Sequence, residues 1–473
     1  LPDKELRPLA GRNTHYQEMT KQQTRLHPPL DSDTGQLAEA DWLARYVQTD
    51  GGGHLVNSVR DLIQSGRLQI GARLPTVRML APLLGISPAT VAGAWSRLRD
   101  MGLIETRRRG GTVVIDVAAR NPSGQESAPS RDLAQGLIDY ALLPDLGPAL
   151  LAGARESSVH HASKEHALPS LVAAVTPTWP FRPEAWSTAG SRTEGTLLAI
   201  EAAAGTDCVV AIESPTSPRL LDICATLRLR LIPVECDGNG PMAESLCAAL
   251  AEHPAAFVYQ PRAQVPLGHA VNAARLAELA RVLAASPDTQ IIEDDFIGPL
   301  SLVTAPSMGA LLPSRTLLVR GYCNTYGIDL RTCVIGGATR LVDKIRRLRS
   351  FGAAMNSRIL QGALAWLLLD EATGQVVARM RERYTQRRMA LKKLLHERGL
   401  AAQGDDGLNL WVPVSQEETA IVALARHGIS VGSGSRCHVG SKRGEFLRVS
   451  TARLSEHPVE LEHIADCFAD SQL

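Results

Sequence analysis

Between Leu55 and Val114 three short apolar stripes and an arginine-rich turn follow one another in close order, and this succession restricts the fold more than any other part of the chain. Leu55, Val56, Val59, Leu62 and Ile63 repeat at helical spacing and Gly66 ends the stretch. Thr76 stands where a cap is expected for a second helix whose inner side carries Val77, Leu80 and Leu84, and Gly85 supplies the turn after it. A third helix follows with Ser87 as its cap and Pro88 at its first position; Val91, Ala94 and Leu98 form the inner side, and Ala89, Thr90, Ser96, Arg97 and Arg99 the outer. Leu103 to Thr106 and Thr112 to Ile115 then read as the two strands of a hairpin tipped by Arg107, Arg108, Arg109, Gly110 and Gly111.

Three helices and a basic hairpin in that order describe a winged helix-turn-helix. Its charge agrees: nine arginines lie between His54 and Val114 against Asp61, Asp100 and Glu105, in a chain whose formal net charge is only +1. A basic module on a neutral body points to double-stranded DNA as partner, because guanidiniums at a wing tip meet phosphates.

The remainder is too long for one core, since cores usually stop growing at about 250–300 residues. Residues 1–50 form a polar extension with one short helix expected from Gln36 to Thr49, where Leu37, Trp42, Leu43 and Tyr46 share a face. The basic module occupies 51–116, and a Ser/Pro/Gly/Asn-rich linker 117–134. Beyond it, β-rich runs alternate with helices: Cys208–Ile212, Arg230–Val234, Ala256–Tyr259, Gln290–Glu293 and Thr316–Val319 read as strands and Ala270–Ala284 as a helix. That is an α/β layer with a mostly parallel sheet over 135–345. Helical stretches Leu341–Arg349 and Ser357–Leu395 lead into a smaller domain, closing 346–473, with strands at Leu408–Val412, Ile429–Val431 and Phe446–Ser450. The eight cysteines show no CxxC pair and no ligand spacing with histidine, so neither a metal site nor a disulfide framework is expected. No signal segment or long apolar run is present, and a cytoplasmic protein without membrane contact is the expectation.

The front module closely resembles the GntR-type winged helix, through Gly66-Arg67-Leu68, Gly71-Ala72-Arg73-Leu74-Pro75-Thr76-Val77-Arg78, Leu80-Ala81, Gly85-Ile86-Ser87-Pro88-Ala89-Thr90-Val91 and Gly102-Leu103-Ile104. The resemblance implies DNA contacts from Arg67, Arg73, Arg78, Ser87, Thr90 and Arg97, with the wing residues Arg107, Arg108, Arg109 and Gly110 beside them.

Residues from about 135 to the end resemble the large and small domains of fold-type I pyridoxal phosphate aminotransferases, and the whole chain looks like a member of the MocR subfamily of GntR regulators. Glu213-Ser214-Pro215-Thr216-Ser217-Pro218, the loop from Tyr259 to Gly268, and Ile291-Ile292-Glu293-Asp294-Asp295-Phe296 carry the resemblance. By it, Asp294 is the carboxylate that pairs with the cofactor's pyridine nitrogen, and Arg331 helps to hold its phosphate. Counting back seven residues from Arg331 places Asn324 where the family has its Schiff-base lysine, and Asn has no nucleophilic amine. Phe296 replaces a tyrosine, Ser217 an aromatic residue and Ala263 a histidine, which together describe a decayed catalytic site.

No catalytic residue is therefore assigned. Ser191 and Arg192 at a helix start offer anion binding, and Arg448 in Glu445-Phe446-Leu447-Arg448 offers a guanidinium fork to a carboxylate, with Asn409 at the pocket edge. The expected effector set is Ser191, Arg192, Asp294, Phe296, Asn324, Arg331, Asn409 and Arg448, binding a small carboxylate-containing molecule without a covalent bond. Pyridoxal phosphate bound noncovalently is one occupant compatible with this reading. The resemblance further implies a head-to-tail homodimer. Two rival functions stay open: a nonstandard enzyme on the aminotransferase fold, and an architectural DNA-binding dimer with no effector.

Overall fold

In the computed structural model, residues 35–47, 52–64, 68, 72–100, 103–107, 111–114, 131–159, 166–304, 306–350, 355–441 and 443–472 are described. The chain divides into two compact units, Leu1–Ser127 and Ala128–Leu473.

In the first unit, helices Gly52–Gln64, Val77–Leu84 and Pro88–Asp100 stand with a small antiparallel sheet of β1 (Arg73–Leu74), β2 (Ile104–Arg107) and β3 (Gly111–Val114), in the order β1-β3-β2. The apolar stripes read from the sequence face one another: Leu55, Val59, Leu80, Val91, Leu98 and Ile104 are almost wholly buried. Trp95, on the inner side of the third helix, joins them and donates its indole N–H to the Pro75 carbonyl at 3.3 Å. Gly85 takes φ +66° after the helix Val77–Leu84, a conformation that a side chain would strain, and so permits the sharp turn. Ser87 caps the third helix, its Oγ accepting from the Thr90 N–H at 3.1 Å. Thr76 has the backbone of a cap but makes no side-chain capping bond.

One boundary changes. The expected helix of the extension spans Gly35–Tyr46, and its Leu43 is buried in the same core as Leu55 and Leu80. It therefore packs as part of the DNA-reading module.

The second unit holds two sheets. The larger has the order β5-β12-β11-β10-β9-β6-β7-β8, comprising β5 (Ala185–Ala189), β6 (Val209–Ser214), β7 (Arg230–Asp237), β8 (Gly240–Pro241), β9 (Ala256–Tyr259), β10 (Gln290–Asp295), β11 (Thr316–Gly321) and β12 (Cys333–Gly337). β7-β6-β9-β10-β11 run parallel, whereas β12 is antiparallel to both neighbours. The alternation foresees the parallel strands but not β5 and β12; only a four-residue helix, Cys323–Tyr326, and one 3-10 turn, Ile328–Leu330, separate β12 from β11.

The smaller sheet, β13-β15-β14-β4, contains β13 (Asn409–Pro413), β14 (Ile429–Ser433), β15 (Phe446–Ser450) and β4 (Arg131–Leu133). β4 lies within the expected linker 117–134 yet pairs in parallel with β14, so that the end of this segment belongs to the small domain; 117–130 lie outside the described residues. The helical run Ser357–Leu395 also divides, into Arg358–Leu369 and Glu371–Glu397. Asp370 between them is extended and its carboxylate accepts from the Thr373 N–H at 2.8 Å, starting a new helix rather than continuing the old one. No single helix among the described residues is long and apolar enough to cross a membrane.

Candidate functional site

On the winged module, Arg73, Arg78, Ser87 and Arg97 are exposed and Thr90 is half-buried. The Ser87 and Thr90 hydroxyls lie 2.8 Å apart at the start of the third helix, so one of the expected contact residues also fixes that helix end. Arg99 donates to the Thr106 hydroxyl at 3.2 Å and ties the third helix to β2. Arg107 ends β2, and its side chain, with Arg67, Arg108, Arg109 and Gly110, lies outside the described residues.

In the body, the chemistry gathers at the end of β10. Its last three residues, Glu293, Asp294 and Asp295, are all carboxylates and all buried. Successive strand residues point to opposite faces, which separates Asp294 from the other two. On one face Glu293 accepts from the Tyr259 and Ser307 hydroxyls and from the Met308 N–H at 2.7 Å; burial outweighs these donors and pushes its carboxyl up to about 7. Asp295 is gripped by Arg262 at 2.8 Å and Arg320 at 2.6 Å. Burial opposes its charge, but the two guanidiniums prevail and hold it at about 2.

Asp294 faces the other way. One carboxylate oxygen accepts from the Thr196 hydroxyl at 3.1 Å and the other from the Arg192 guanidinium at 2.6 Å. That guanidinium also lies 5.7 Å from the centre of the Phe296 ring, within cation–π range. Burial works against the Arg192 charge, but Asp294 overrides it and raises the Arg192 pKa. Asn324 donates through Nδ2 to the Phe296 carbonyl at 3.3 Å. Arg331 is exposed, in a left-handed conformation at φ +45° unusual for a non-glycine residue, and its carbonyl accepts from Asn356 at 2.9 Å. Cys323 feels both the Arg192 and Arg331 charges, although burial raises its thiol pKa. The structure thus gathers Arg192, Asp294, Phe296 and Asn324, whereas the Arg331 side chain is exposed and makes no hydrogen bond or ion pair with them among the described residues.

Two of the expected residues stand differently. Ser191 Oγ accepts from the Glu194 N–H at 3.1 Å while the Glu194 carboxylate accepts from the Gly190 N–H at 2.6 Å. This is close to a capping box, so the helix start proposed for an external anion already holds the protein's own carboxylate, which Arg349 also approaches at 3.2 Å. The Ser-x-x-Glu spacing from Ser191 to Glu194 is a legible signal for this closure.

Arg448 and Asn409 make a separate pair on the small sheet. Arg448 donates to Asn409 Oδ1 at 3.3 Å and to the Ala134 carbonyl at 2.6 Å, and among the described residues no carboxylate lies within ion-pair distance of it. Its Nε is buried without a partner, and burial lowers its pKa. No hydrogen bond or ion pair among the described residues joins this pair to Asp294, Asn324 or Arg331.

A cleft of about 830 Å³ lies elsewhere, between the ends of β6 and β7 and the small sheet. Ser214, Cys236, His269, Trp411 and Phe446 line it, and none of the eight expected effector residues does. Nothing in the local sequence patterns points to it, because it forms where two sheets meet.

The resemblance to pyridoxal phosphate aminotransferases allows the site to be tested against that group. The carboxylate that would meet a pyridine nitrogen already holds the Arg192 cation, and Phe296 has no hydroxyl. Asn324 supplies no amine, and the next lysine along the chain, Lys344, donates to the Ala202 carbonyl at 3.0 Å. These residues offer the cofactor no covalent anchor.

Residues 132–466 match the family Aminotransferase class I and II, and 53–114 match the gntR family of bacterial regulatory proteins. The vitamin B6 salvage pathway transcriptional repressor PtsJ of Salmonella typhimurium is 29% identical over 416 residues, covering 86% of this chain and 95% of that protein. The probable rhizopine catabolism regulatory protein MocR of Rhizobium meliloti is 25% identical over 426 residues, covering 79% and 80%. The chain is a MocR-type regulator of the GntR family. Its body belongs to the class I and II aminotransferase family, and an archaeal alanine:glyoxylate aminotransferase superposes with a TM-score of 0.65 at 16% identity, covering 81% of the regulator and 94% of that chain. The likeness to such enzymes is one of fold.

Proposed function

We propose that this MocR-type regulator reads double-stranded DNA as a homodimer and that its body binds a small carboxylate-containing effector noncovalently, without catalysing transamination. The observation that carries the reading is the Arg192–Asp294 ion pair beside Asn324: the carboxylate is occupied by a cation from the same chain, and no amine stands ready to form a covalent link. A noncovalent ligand suits such a site better than a turnover cycle does. Asn324 takes the place of the Schiff-base lysine in this reading.

For the effector, Arg448 is the recognition residue we favour. A guanidinium that is largely buried yet lacks a carboxylate partner can gain a charge-assisted, bidentate contact from a ligand. Two relatives are named for vitamin B6 salvage and pyridoxine biosynthesis, but the Arg192–Asp294 pair argues for a different molecule here. Effector binding alters DNA affinity only if the ligand binds the DNA-bound and free forms unequally.

The test is binding of the protein to its own promoter duplex, with and without a panel of small mono- and dicarboxylates, for the wild type and Arg448→Ala. At least one carboxylate should shift the wild-type affinity, and the shift should vanish in the variant while effector-free DNA binding persists. A carboxylate response that survives Arg448→Ala would remove Arg448 from the site; multiple turnover of an amino acid would overturn the regulatory reading of the body.

A further inference from the structure

Three potential ligand atoms converge where β6, β7 and the loop after β9 meet. Glu213 lies near the end of β6, Cys236 near the end of the neighbouring β7, and His269 in the loop that leaves β9. One ring nitrogen of His269, the Cys236 sulfur and a Glu213 carboxylate oxygen all lie within 4.8 Å of one another. Their sequence separations defeat the spacing rules that led to the expectation of no metal.

The unused capacity of these atoms points to a ligand. Glu213 commits Oε1 to the Gln260 amide N–H at 3.1 Å, the Gln260 side chain at 2.7 Å and the Thr216 hydroxyl at 3.3 Å, whereas its buried Oε2 has no partner. Both ring nitrogens of His269 are buried without a partner, although the residue is only 6% exposed. Cys236 Sγ makes a long 3.8 Å contact to the Val234 carbonyl and also faces the Ser214 backbone N–H. Unpaired buried polar atoms are costly, and here they are grouped.

We propose that Glu213, Cys236 and His269 bind a divalent cation of the zinc class, with the fourth coordination position open to the cleft that Cys236 and His269 line. One sulfur, one imidazole nitrogen and one carboxylate oxygen suit a borderline, four-coordinate ion rather than calcium or magnesium, which take oxygen ligands. Zinc–ligand bonds of about 2.0–2.3 Å require the three groups to draw slightly together. On binding, the Cys236 thiol and the Glu213 carboxyl, where protonated, release their protons to solvent, and the sulfur, the carboxylate oxygen and the imidazole nitrogen each donate an electron pair to the metal; no redox step is involved. Nothing in this site depends on the identity of the effector.

A second group, His427, His463 and Cys467, must be separated from it. There the Cys467 sulfur already meets His463 Nε2 at 3.8 Å, and both histidines are exposed. The full-length metal-free protein should be titrated with Co²⁺ and then Zn²⁺, in the wild type, Cys467→Ser and Cys236→Ser. The expected result is a thiolate-to-cobalt charge-transfer band that is displaced by zinc, retained in Cys467→Ser and lost in Cys236→Ser; His269→Gln should weaken binding by roughly tenfold or more. Mass mapping of alkylated wild-type protein provides a readout without substitution, with zinc shielding Cys236 and leaving Cys467 reactive. Absence of the band, its survival in Cys236→Ser, or shielding of Cys467 alone would overturn the proposal.

Discussion

The Arg192–Asp294 pair is the residue-scale feature from which the account of the body grows. Asp294 is fully buried, so removal of its counter-charge leaves an uncompensated carboxylate. Arg192→Ala should cost about 3–5 kcal/mol of stability, measured by denaturant unfolding of the full chain, and Asp294→Asn in the same protein should recover much of it. Additive losses in the double variant would show that the two residues are not coupled. Glu293 supplies an independent pH test. Burial holds its folded pKa near 7, above the roughly 4.3 of an unfolded glutamate, so the folded state keeps a proton that the unfolded state releases across this interval. Its contribution therefore diminishes stability as pH rises from about 4 to 7, by up to about 1.4 kcal/mol per pH unit. Glu293→Gln should flatten that part of the stability profile, and an unchanged slope would contradict the assignment. Asp295, held near 2 by Arg262 and Arg320, acts with the opposite sign: its stabilisation is complete above about pH 4 and is lost as pH falls towards 2.

At the scale of elements, turn chemistry decides the winged module. Gly85 holds φ +66°, with open space where a β-carbon would project. Gly85→Ala should therefore act through backbone strain alone and destabilise the module by about 1–2 kcal/mol, read from thermal unfolding; no change would mean that the turn adopts another conformation. This module was highly legible because its stripes, caps and turn residues are local in sequence. The parallel strands of the body were legible for the same reason, through runs such as Ala256–Tyr259. The antiparallel β12 and the short β4 were not, since each is defined by partners distant in sequence, β12 by β5 and β4 by β14. The break at Asp370 was hidden inside a run of good helix formers and is marked only by one capping carboxylate. The effector set divides in the same way: resemblance located Asp294 and Asn324 at one sheet end, but which partner satisfies Asp294 depends on the packing of a separate helix. The fate of the anion slot, closed by Glu194, was readable from the capping spacing. The Glu213–Cys236–His269 group was not readable, because its members approach only when three segments assemble.

For the whole molecule, a DNA reader and an aminotransferase-like body on one chain make a transcriptional regulator. Phosphate contacts impose a salt dependence, and base contacts impose selectivity, so both belong in one measurement. Fluorescence anisotropy of the protein's own promoter duplex and of a scrambled duplex, each titrated across a range of salt concentrations, measures both. The predicted result is at least a roughly thousandfold preference for the promoter duplex, an affinity that falls steeply with salt, and, for Arg78→Ala, weaker binding with a salt slope shallower by about one. Equal affinity for the two duplexes, or binding unchanged by both salt and Arg78→Ala, would contradict it.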